Sequence, residues 1–210
     1  VRGNNRDYDG WAQLGNRGWG YEDILPYFKK AEHREAGEDR WHGIGGPLNV
    51  ADVRTTYPIL NRVIEAAEEV GYPRNPDYNG ERQEGFGYFQ VTQKNGRRWS
   101  AKTAYLDPVR RRPNLYVASR SIATQLIIKD GEVRGVRYQT NECGYEGIAG
   151  KEVLLCAGSI QSPQLMELSG IGRPEVLQNS GIKVRHPLTG VGENLQDHYT
   201  SRLVWKLKGA

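Results

Sequence analysis

Cysteine and histidine are scarce in this 210-residue chain, and no apolar run approaches the length of a membrane-spanning helix. The two cysteines, Cys143 and Cys156, are too few to define a disulfide framework. The four histidines form no HxxxH or HxH pair, and neither cysteine has metal-ligand spacing to another residue of its kind. The sequence therefore predicts no metal site and no transmembrane segment, since spanning a bilayer takes about 20 apolar residues.

Neither end of the sequence looks like the natural terminus of a protein. The chain begins with Val1 and opens with no secretory signal pattern. A β-rich stretch at 203–207 predicts a strand that ends three residues before the last residue. We therefore expect an internal piece of a longer protein, located in the cytoplasm or at the inner face of a membrane.

Charge of neither sign dominates, because the chain has 29 basic and 25 acidic residues and a net charge of +4. Basic residues gather at 97–102 and 110–112. No nucleic-acid-binding motif accompanies them, so the sequence favours a solvated face over a nucleic-acid interface. One or two of these side chains could still contact an anionic cofactor.

Apolar periodicity and capping residues predict several helices. The clearest is amphipathic and covers 58–70, with Gly71 as its C-terminal cap. Other helices are expected at 21–33, at 100–106 with Ser100 as cap, and near 174–179. A further helix is expected at 162–168, with Ser162 as N-cap, Pro163 as first residue and Gly170 after its end.

The second half of the chain is richer in strand-forming residues. Short strands are expected at 115–117, 123–128, 133–138 and 183–186. Asp130-Gly131 predicts a tight hairpin turn between two of them. Mixed strands and helices of this kind predict an α/β architecture with an added antiparallel layer.

The continuous apolar run at 153–157 predicts a strand buried on both faces, with Cys156 as a small core residue. Small residues end this run, and a predicted helix follows it. Ligands of open α/β sheets lie beyond the carboxyl ends of strands, and helix N-termini attract anions. The segment is therefore a candidate nucleotide site, with an ordinary strand-to-helix turn as the alternative.

Residues 158–172 read Gly-Ser-Ile-Gln-Ser-Pro-Gln-Leu-Met-Glu-Leu-Ser-Gly-Ile-Gly. This segment resembles the second signature of glucose-methanol-choline (GMC) flavoproteins at every defined position. Further stretches resemble the family in the same order along nearly the whole chain. They include Arg2-Gly3, Gly18-Trp19, His42-Gly43, Gly46-Pro47-Leu48, Ala104-Tyr105-Leu106, Arg112-Pro113-Asn114-Leu115 and Asn194-Leu195-Gln196-Asp197-His198.

The resemblance implies an α/β fold: a Rossmann-like, GMC-type FAD-binding domain, incomplete here, followed by the start of an antiparallel-sheet substrate domain. Residues 1–198 would belong to the FAD-binding domain and 199–210 to the substrate domain. It implies FAD as cofactor and a small alcohol, aliphatic or choline-type, as substrate. Hydride would pass to FAD, and electrons would then reach oxygen or another acceptor. The alternatives are a catalytically inactive GMC remnant and a non-enzymatic nucleotide-binding module.

The resemblance also implies which residues meet the cofactor. Ala157, Gly158 and Ser159 match a turn beside FAD. Ala123 matches a strand position whose main chain meets the adenine edge, although the family usually has valine there. For these four positions the alternative is an ordinary strand or turn residue.

No catalytic residue is expected within the chain. The family places its general base, a histidine, near the end of the full-length sequence, so His198 and His42 are expected to be structural. The glycine-rich stretches at 170–175 and 190–195 lack the third glycine of a GxGxxG phosphate-binding loop.

Overall fold

The computed structural model describes residues 2–141 and 143–206, and these divide into two compact units between Tyr116 and Val117. The first unit is mainly helical. Its elements, in chain order, are α1 (Asn5–Gln13), α2 (Tyr21–Ala31), β1 (Glu32–Arg34), β2 (Leu48–Val50), α3 (Pro58–Glu69), β3 (Gln93–Lys94), β4 (Arg97–Arg98), a π-helical turn (Lys102–Leu106) and a 3₁₀ turn (Asp107–Val109).

Polar residues lie at the starts of the first two helices. Asn4 accepts a hydrogen bond from the backbone N–H of Arg6 and Asp7 accepts one from Asn4, which forms a capping box before α1. Helix α2 has acidic residues in its first turn and Lys29 and Lys30 in its last, which suits the helix dipole. It ends at Ala31, two residues before the predicted end, because the chain passes directly into β1.

Two small sheets join the loops of the first unit. Strands β1 and β2 are parallel, with His33 opposite Asn49. Strands β3 and β4 form an antiparallel hairpin whose turn residues, Asn95 and Gly96, both have positive φ. Such a turn matches the natural twist of a two-residue hairpin.

The amphipathic helix predicted at 58–70 is confirmed as α3. Pro58 is its first residue, and Gly71 adopts a φ of 94° just past its end. Ile64 and Ala67 are buried, whereas Leu60, Val63 and Val70 from the same apolar set are substantially exposed. The hydroxyl of Ser100 accepts from the N–H of Thr103, as the predicted cap requires, but the helix predicted at 100–106 is a π-helical turn at Lys102–Leu106 whose N-cap position is Ala101.

The second unit contains a three-stranded antiparallel sheet. Strands β5 (Ser121–Lys129), β6 (Glu132–Thr140) and β7 (Cys143–Ile148) lie in that order. Asp130 and Gly131 both have positive φ, so the predicted hairpin turn is confirmed. The remaining elements are α4 (Gly158–Leu168), β8 (Ile171–Gly172), α5 (Pro174–Asn179) and β9 (His186–Pro187), with β8 parallel to β9.

Leucines from three elements form the core of the second unit. Leu126 of β5, Leu165 of α4 and Leu177 of α5 are all nearly inaccessible to solvent. The hydroxyl of Ser169 joins this core by donating to the carbonyl of Leu165 and accepting from the N–H of Leu126, at 2.6 and 2.8 Å. The predicted helix at 174–179 is confirmed as α5, and Gly170 ends α4 with a φ of 87°.

Several sequence predictions for the second half are wrong. Residues 153–157 form no strand, because no described segment pairs with their backbone, and Leu154 is 78% exposed. Cys156 is exposed rather than buried for the same reason. No strand forms at 115–117, and of the strand predicted at 183–186 only His186 joins one, β9. Residues 203–206 form no strand, and Leu207 lies outside the described residues.

Candidate functional site

The turn that leads into α4 holds three of the four predicted cofactor residues. Helix α4 begins at Gly158, four residues before the predicted start, so Ala157 rather than Ser162 is its N-cap. Gly158 has a φ of 90°, and a Cβ at this position would meet no atom within 4 Å. The glycine is therefore required by backbone conformation, and the space beside it is open.

The N-terminus of α4 is well suited to bind a ligand that is rich in hydrogen-bond acceptors. No side chain caps it, although the first N–H groups of a helix have no partner within the helix. Ser162 instead accepts from the N–H of Ala157 at 3.1 Å, and Pro163 lies inside the helix, not at its first position. Ala157, Gly158 and Ser159 are all exposed, so the turn can be reached from outside.

Ala123, the fourth predicted residue, lies on β5 opposite Tyr138 and is exposed. A β-bulge follows it at Thr124, where the pairing with β6 shifts by one residue. The hydrogen bond between Leu126 and Ser169 joins β5 to the C-terminal end of α4. That end lies about 16 Å from Gly158 along an 11-residue helix. The structure thus places Ala157, Gly158 and Ser159 in one turn and Ala123 on β5, a strand that packs against α4.

The first unit contains a buried ionic cluster that the sequence does not reveal. His42 is 2% exposed, and its Nδ1 lies 2.9 Å from Glu32 Oε2. Its Nε2 lies 2.8 Å from Asp77 Oδ2. Because a carboxylate faces each ring nitrogen, both nitrogens donate and the ring is an imidazolium. We call Arg2, Glu32, His42 and Asp77 the His42 cluster.

Electrostatics within the His42 cluster follow from these contacts. Hydrogen bonds to Asp77 and Glu32, together with their charges, outweigh burial and raise the pKa of His42 to about 9. Burial alone would raise the pKa of Glu32, but the hydrogen bond from His42 and the charge of Arg2 hold it below its usual value. Burial would also raise the pKa of Asp77. Hydrogen bonds from His42 and from the N–H of Asn79 outweigh it, so the pKa of this carboxyl is lowered as well.

The Arg2 side chain fastens the start of the chain to this cluster. Its guanidinium donates to Glu32 Oε2 at 2.9 Å and to the carbonyl of Trp41 at 2.6 Å, and it lies 5.1 Å from the ring centre of Phe28. Its backbone N–H donates to Asn79. Residues distant in sequence thus converge on one charged centre, a pattern without a fixed spacing that sequence reasoning could detect.

The His42 cluster is poorly suited to metal binding or to base catalysis. Ligand atoms of Asp39, His42 and Asp77 lie within 4.8 Å of one another. Carboxylates already occupy both ring nitrogens of His42, so a cation would have to displace a proton held with a pKa of about 9. The expectation that His42 is structural agrees with this geometry. His198 is exposed and lies outside any helix or strand.

Comparisons with known proteins support the family resemblance of the sequence. The family model described as GMC oxidoreductase matches residues 1–200. The oxygen-dependent choline dehydrogenase of Sinorhizobium fredii is 44% identical over 198 residues, which is 94% of this chain and 36% of that protein. The mitochondrial choline dehydrogenase of Homo sapiens is 43% identical, over 94% of this chain and 33% of its own length.

Solved structures share the fold. An FAD-dependent oxidoreductase from Chaetomium thermophilum matches with a TM-score of 0.87 and 31% identity, over 94% of this chain and 37% of the other. Pyridoxine 4-oxidase from Mesorbium loti matches with a TM-score of 0.82 and 32% identity, over 89% and 37%. No helix among the described residues is long and apolar enough to cross a membrane.

The chain spans about a third of the length of the relatives that it matches. The predicted fold class is confirmed: the mixed helices and sheets are part of the FAD-binding N-terminal domain of this family, whose cofactor is FAD. Both the match over residues 1–200 and the identity of more than 40% over most of the chain establish that it belongs to the GMC oxidoreductase family.

Proposed function

We propose that this chain is part of an FAD-dependent oxidoreductase that acts on the CH–OH group of a small alcohol of the choline type. The observation that carries the proposal is the 43–44% identity to choline dehydrogenases across 94% of the chain. Residues 1–198 would form the middle and C-terminal part of the FAD-binding domain, and residues 199–210 would begin the substrate domain.

The N-terminus of α4 supports a role in holding the cofactor. Its exposed, uncapped N–H groups at Gly158 and Ser159 and the open space beside Gly158 fit a polar, acceptor-rich ligand. Ala157 would complete this turn beside FAD, and the main chain at Ala123 would meet the adenine edge. Bound FAD would supply the chemistry by accepting hydride from the carbinol carbon of the alcohol.

Proton transfer from the alcohol requires a base, and His42 does not fit that role. A general base must lie within about 3 Å of the substrate hydroxyl and carry a free lone pair. His42 has neither property, because its ring is buried and both nitrogens donate to carboxylates. This chain would therefore contribute cofactor binding and scaffold, and a catalytically inactive remnant would keep the same features.

Expression of the complete gene that encodes this chain tests the proposal. The purified product should carry FAD, and anaerobic addition of choline should bleach the flavin absorbance. A flavin-containing product that no alcohol reduces would favour the inactive remnant, and a product without flavin would reject the proposal. The 210-residue chain alone should bind FAD weakly and oxidise no alcohol, and flavin titration followed by dye reduction checks this.

A further inference from the structure

A cavity of about 370 Å³ opens in the first unit beside α3. Its volume falls at the lower end of the range for small-molecule sites, about 300–1,000 Å³. Apolar side chains form much of its wall, and two arginines and two aspartates supply the charge. The lining residues used below are Val53, Ile64, Phe89, Arg34, Arg74, Asp52 and Asp77.

Arg34 is the unusual member of this lining. Its side chain is only 9% exposed, and its Nη2 donates to Asp52 Oδ1 at 2.7 Å. Its Nη1 is buried and has no hydrogen-bond partner among residues 2–141 and 143–206. An arginine cannot lose its charge, so an unpaired buried N–H of this group calls for an acceptor.

The other charged groups that face the cavity are engaged elsewhere. Asp77 accepts from the protonated His42 and from the N–H of Asn79. Arg74 donates from Nε to Glu68 at 3.1 Å. Asp52 is the exception, because its side chain is 64% exposed and pairs with Arg34. Asp52 can therefore leave the guanidinium at little cost in buried contacts.

We infer that this cavity binds a small monocarboxylate with a short apolar body. The carboxylate takes the place of Asp52 on Arg34 and satisfies both Nη1 and Nη2, a two-oxygen match that a guanidinium makes readily. The apolar body lies against Val53, Ile64 and Phe89. The cavity lies in the first unit and the α4 turn in the second, so the carboxylate site does not depend on the proposed flavin function.

The local charges favour a monocarboxylate over a phosphate or a neutral ligand. Asp52 and Asp77 both line the cavity, so a doubly charged phosphate would meet more repulsion than a single carboxylate. A neutral amide has the same shape but lacks the charge that strengthens a hydrogen bond to arginine. Discrimination between butyrate and butyramide therefore measures the contribution of Arg34.

Titration calorimetry of the 210-residue chain with sodium butyrate tests the inference. Butyrate should bind, and butyramide and phosphate should bind at least about ten-fold more weakly. Arg34→Gln should weaken butyrate binding by at least about ten-fold, because the pairing group is lost. Asp52→Asn should strengthen it by about three-fold or more, since a competing anion is removed.

Asp107→Asn is the matched control, because Asp107 is also an ion-paired, partly exposed aspartate but lies away from the cavity. It should leave butyrate affinity unchanged. Circular dichroism checks that Arg34→Gln is folded, and if it is not, Asp52→Asn decides the matter because Arg34 remains in place. Absence of butyrate binding, equal binding of butyramide, or weaker binding by Asp52→Asn would each overturn the inference.

Discussion

His42 Nε2 donates to Asp77 Oδ2 across 2.8 Å, and this bond links two loops that are 35 residues apart in sequence. On the other side of the same ring, Glu32 accepts from Nδ1. The imidazolium therefore connects the β1 strand, its own loop and the loop around Asp77. Because the ring is fully buried, the stability of the first unit should depend strongly on its charge.

Replacing His42 by leucine should destabilise the first unit by about 3 kcal/mol, because Asp77 loses its salt-bridge partner and Glu32 keeps only Arg2. Four of the five tryptophans, Trp11, Trp19, Trp41 and Trp99, lie in this unit, so urea unfolding followed by tryptophan fluorescence reports on it. His198→Leu is the control and should change stability little, since His198 is exposed. Equal effects of the two substitutions would contradict a structural role for the cluster.

The same cluster should make stability fall at alkaline pH. The pKa of His42 is raised from 6.5 to about 9, so its stabilisation is complete below about pH 6.5 and is lost as the pH rises through 9. The full change corresponds to about 3 kcal/mol at 1.36 kcal/mol for each unit of pKa. Urea unfolding from pH 6 to 10 measures it as the difference between the wild-type chain and His42→Leu. A difference that does not vary over this range would contradict the raised pKa.

Local signals along the chain predicted those elements that depend on local contacts. Helix α3 follows from apolar spacing and a C-terminal glycine, and the β5–β6 turn follows from Asp130-Gly131, whose φ values are both positive. Helix α5 and the Ser100 cap follow from similar local chemistry. Each of these features is stabilised by residues a few positions apart, which a single sequence displays directly.

Features that depend on distant partners were predicted poorly. Residues 153–157 have the composition of a buried strand, but a strand forms only where another backbone pairs with it, and none of the described segments does so. Serine before proline is a common N-cap, so the sequence predicts that α4 starts at Ser162. The structure begins the helix at Gly158, and Ser162 bonds back to Ala157 from inside it.

The candidate site also combines a local feature that the sequence predicts with contacts between distant residues that it does not predict. The turn at Ala157, Gly158 and Ser159 was identified from one continuous motif, and the structure presents it at a helix N-terminus. The role of that turn in FAD binding stays a prediction. The sequence does not predict the His42 cluster, because Glu32 lies 10 residues and Asp77 lies 35 residues from His42 along the chain. Charge and composition alone do not show which of many carboxylates will surround a histidine.

Two glycines with similar backbone angles should respond differently to substitution by alanine. Gly158 and Gly170 have φ values of 90° and 87°, so alanine is strained at both, by about 1–2 kcal/mol. A Cβ on Gly158 meets open space, but a Cβ on Gly170 would lie 2.5 Å from the carbonyl oxygen of Lys183. Gly170→Ala should therefore be the more destabilising, which urea unfolding followed by circular dichroism measures. Equal losses would show that the segment at Lys183 moves freely.

Ser169 should be the most sensitive hydroxyl in the second unit. It is 1% exposed, and its Oγ accepts from the N–H of Leu126 while donating to the carbonyl of Leu165. Ser169→Ala leaves the Leu126 N–H buried without an acceptor, which should cost about 1–3 kcal/mol. Hydrogen exchange at Leu126 should accelerate accordingly. Ser162→Ala is the control, because its hydroxyl serves the N–H of the exposed Ala157, where water can replace it. A loss of stability at Ser162→Ala as large as at Ser169→Ala would show that burial of the Leu126 N–H is not the cause.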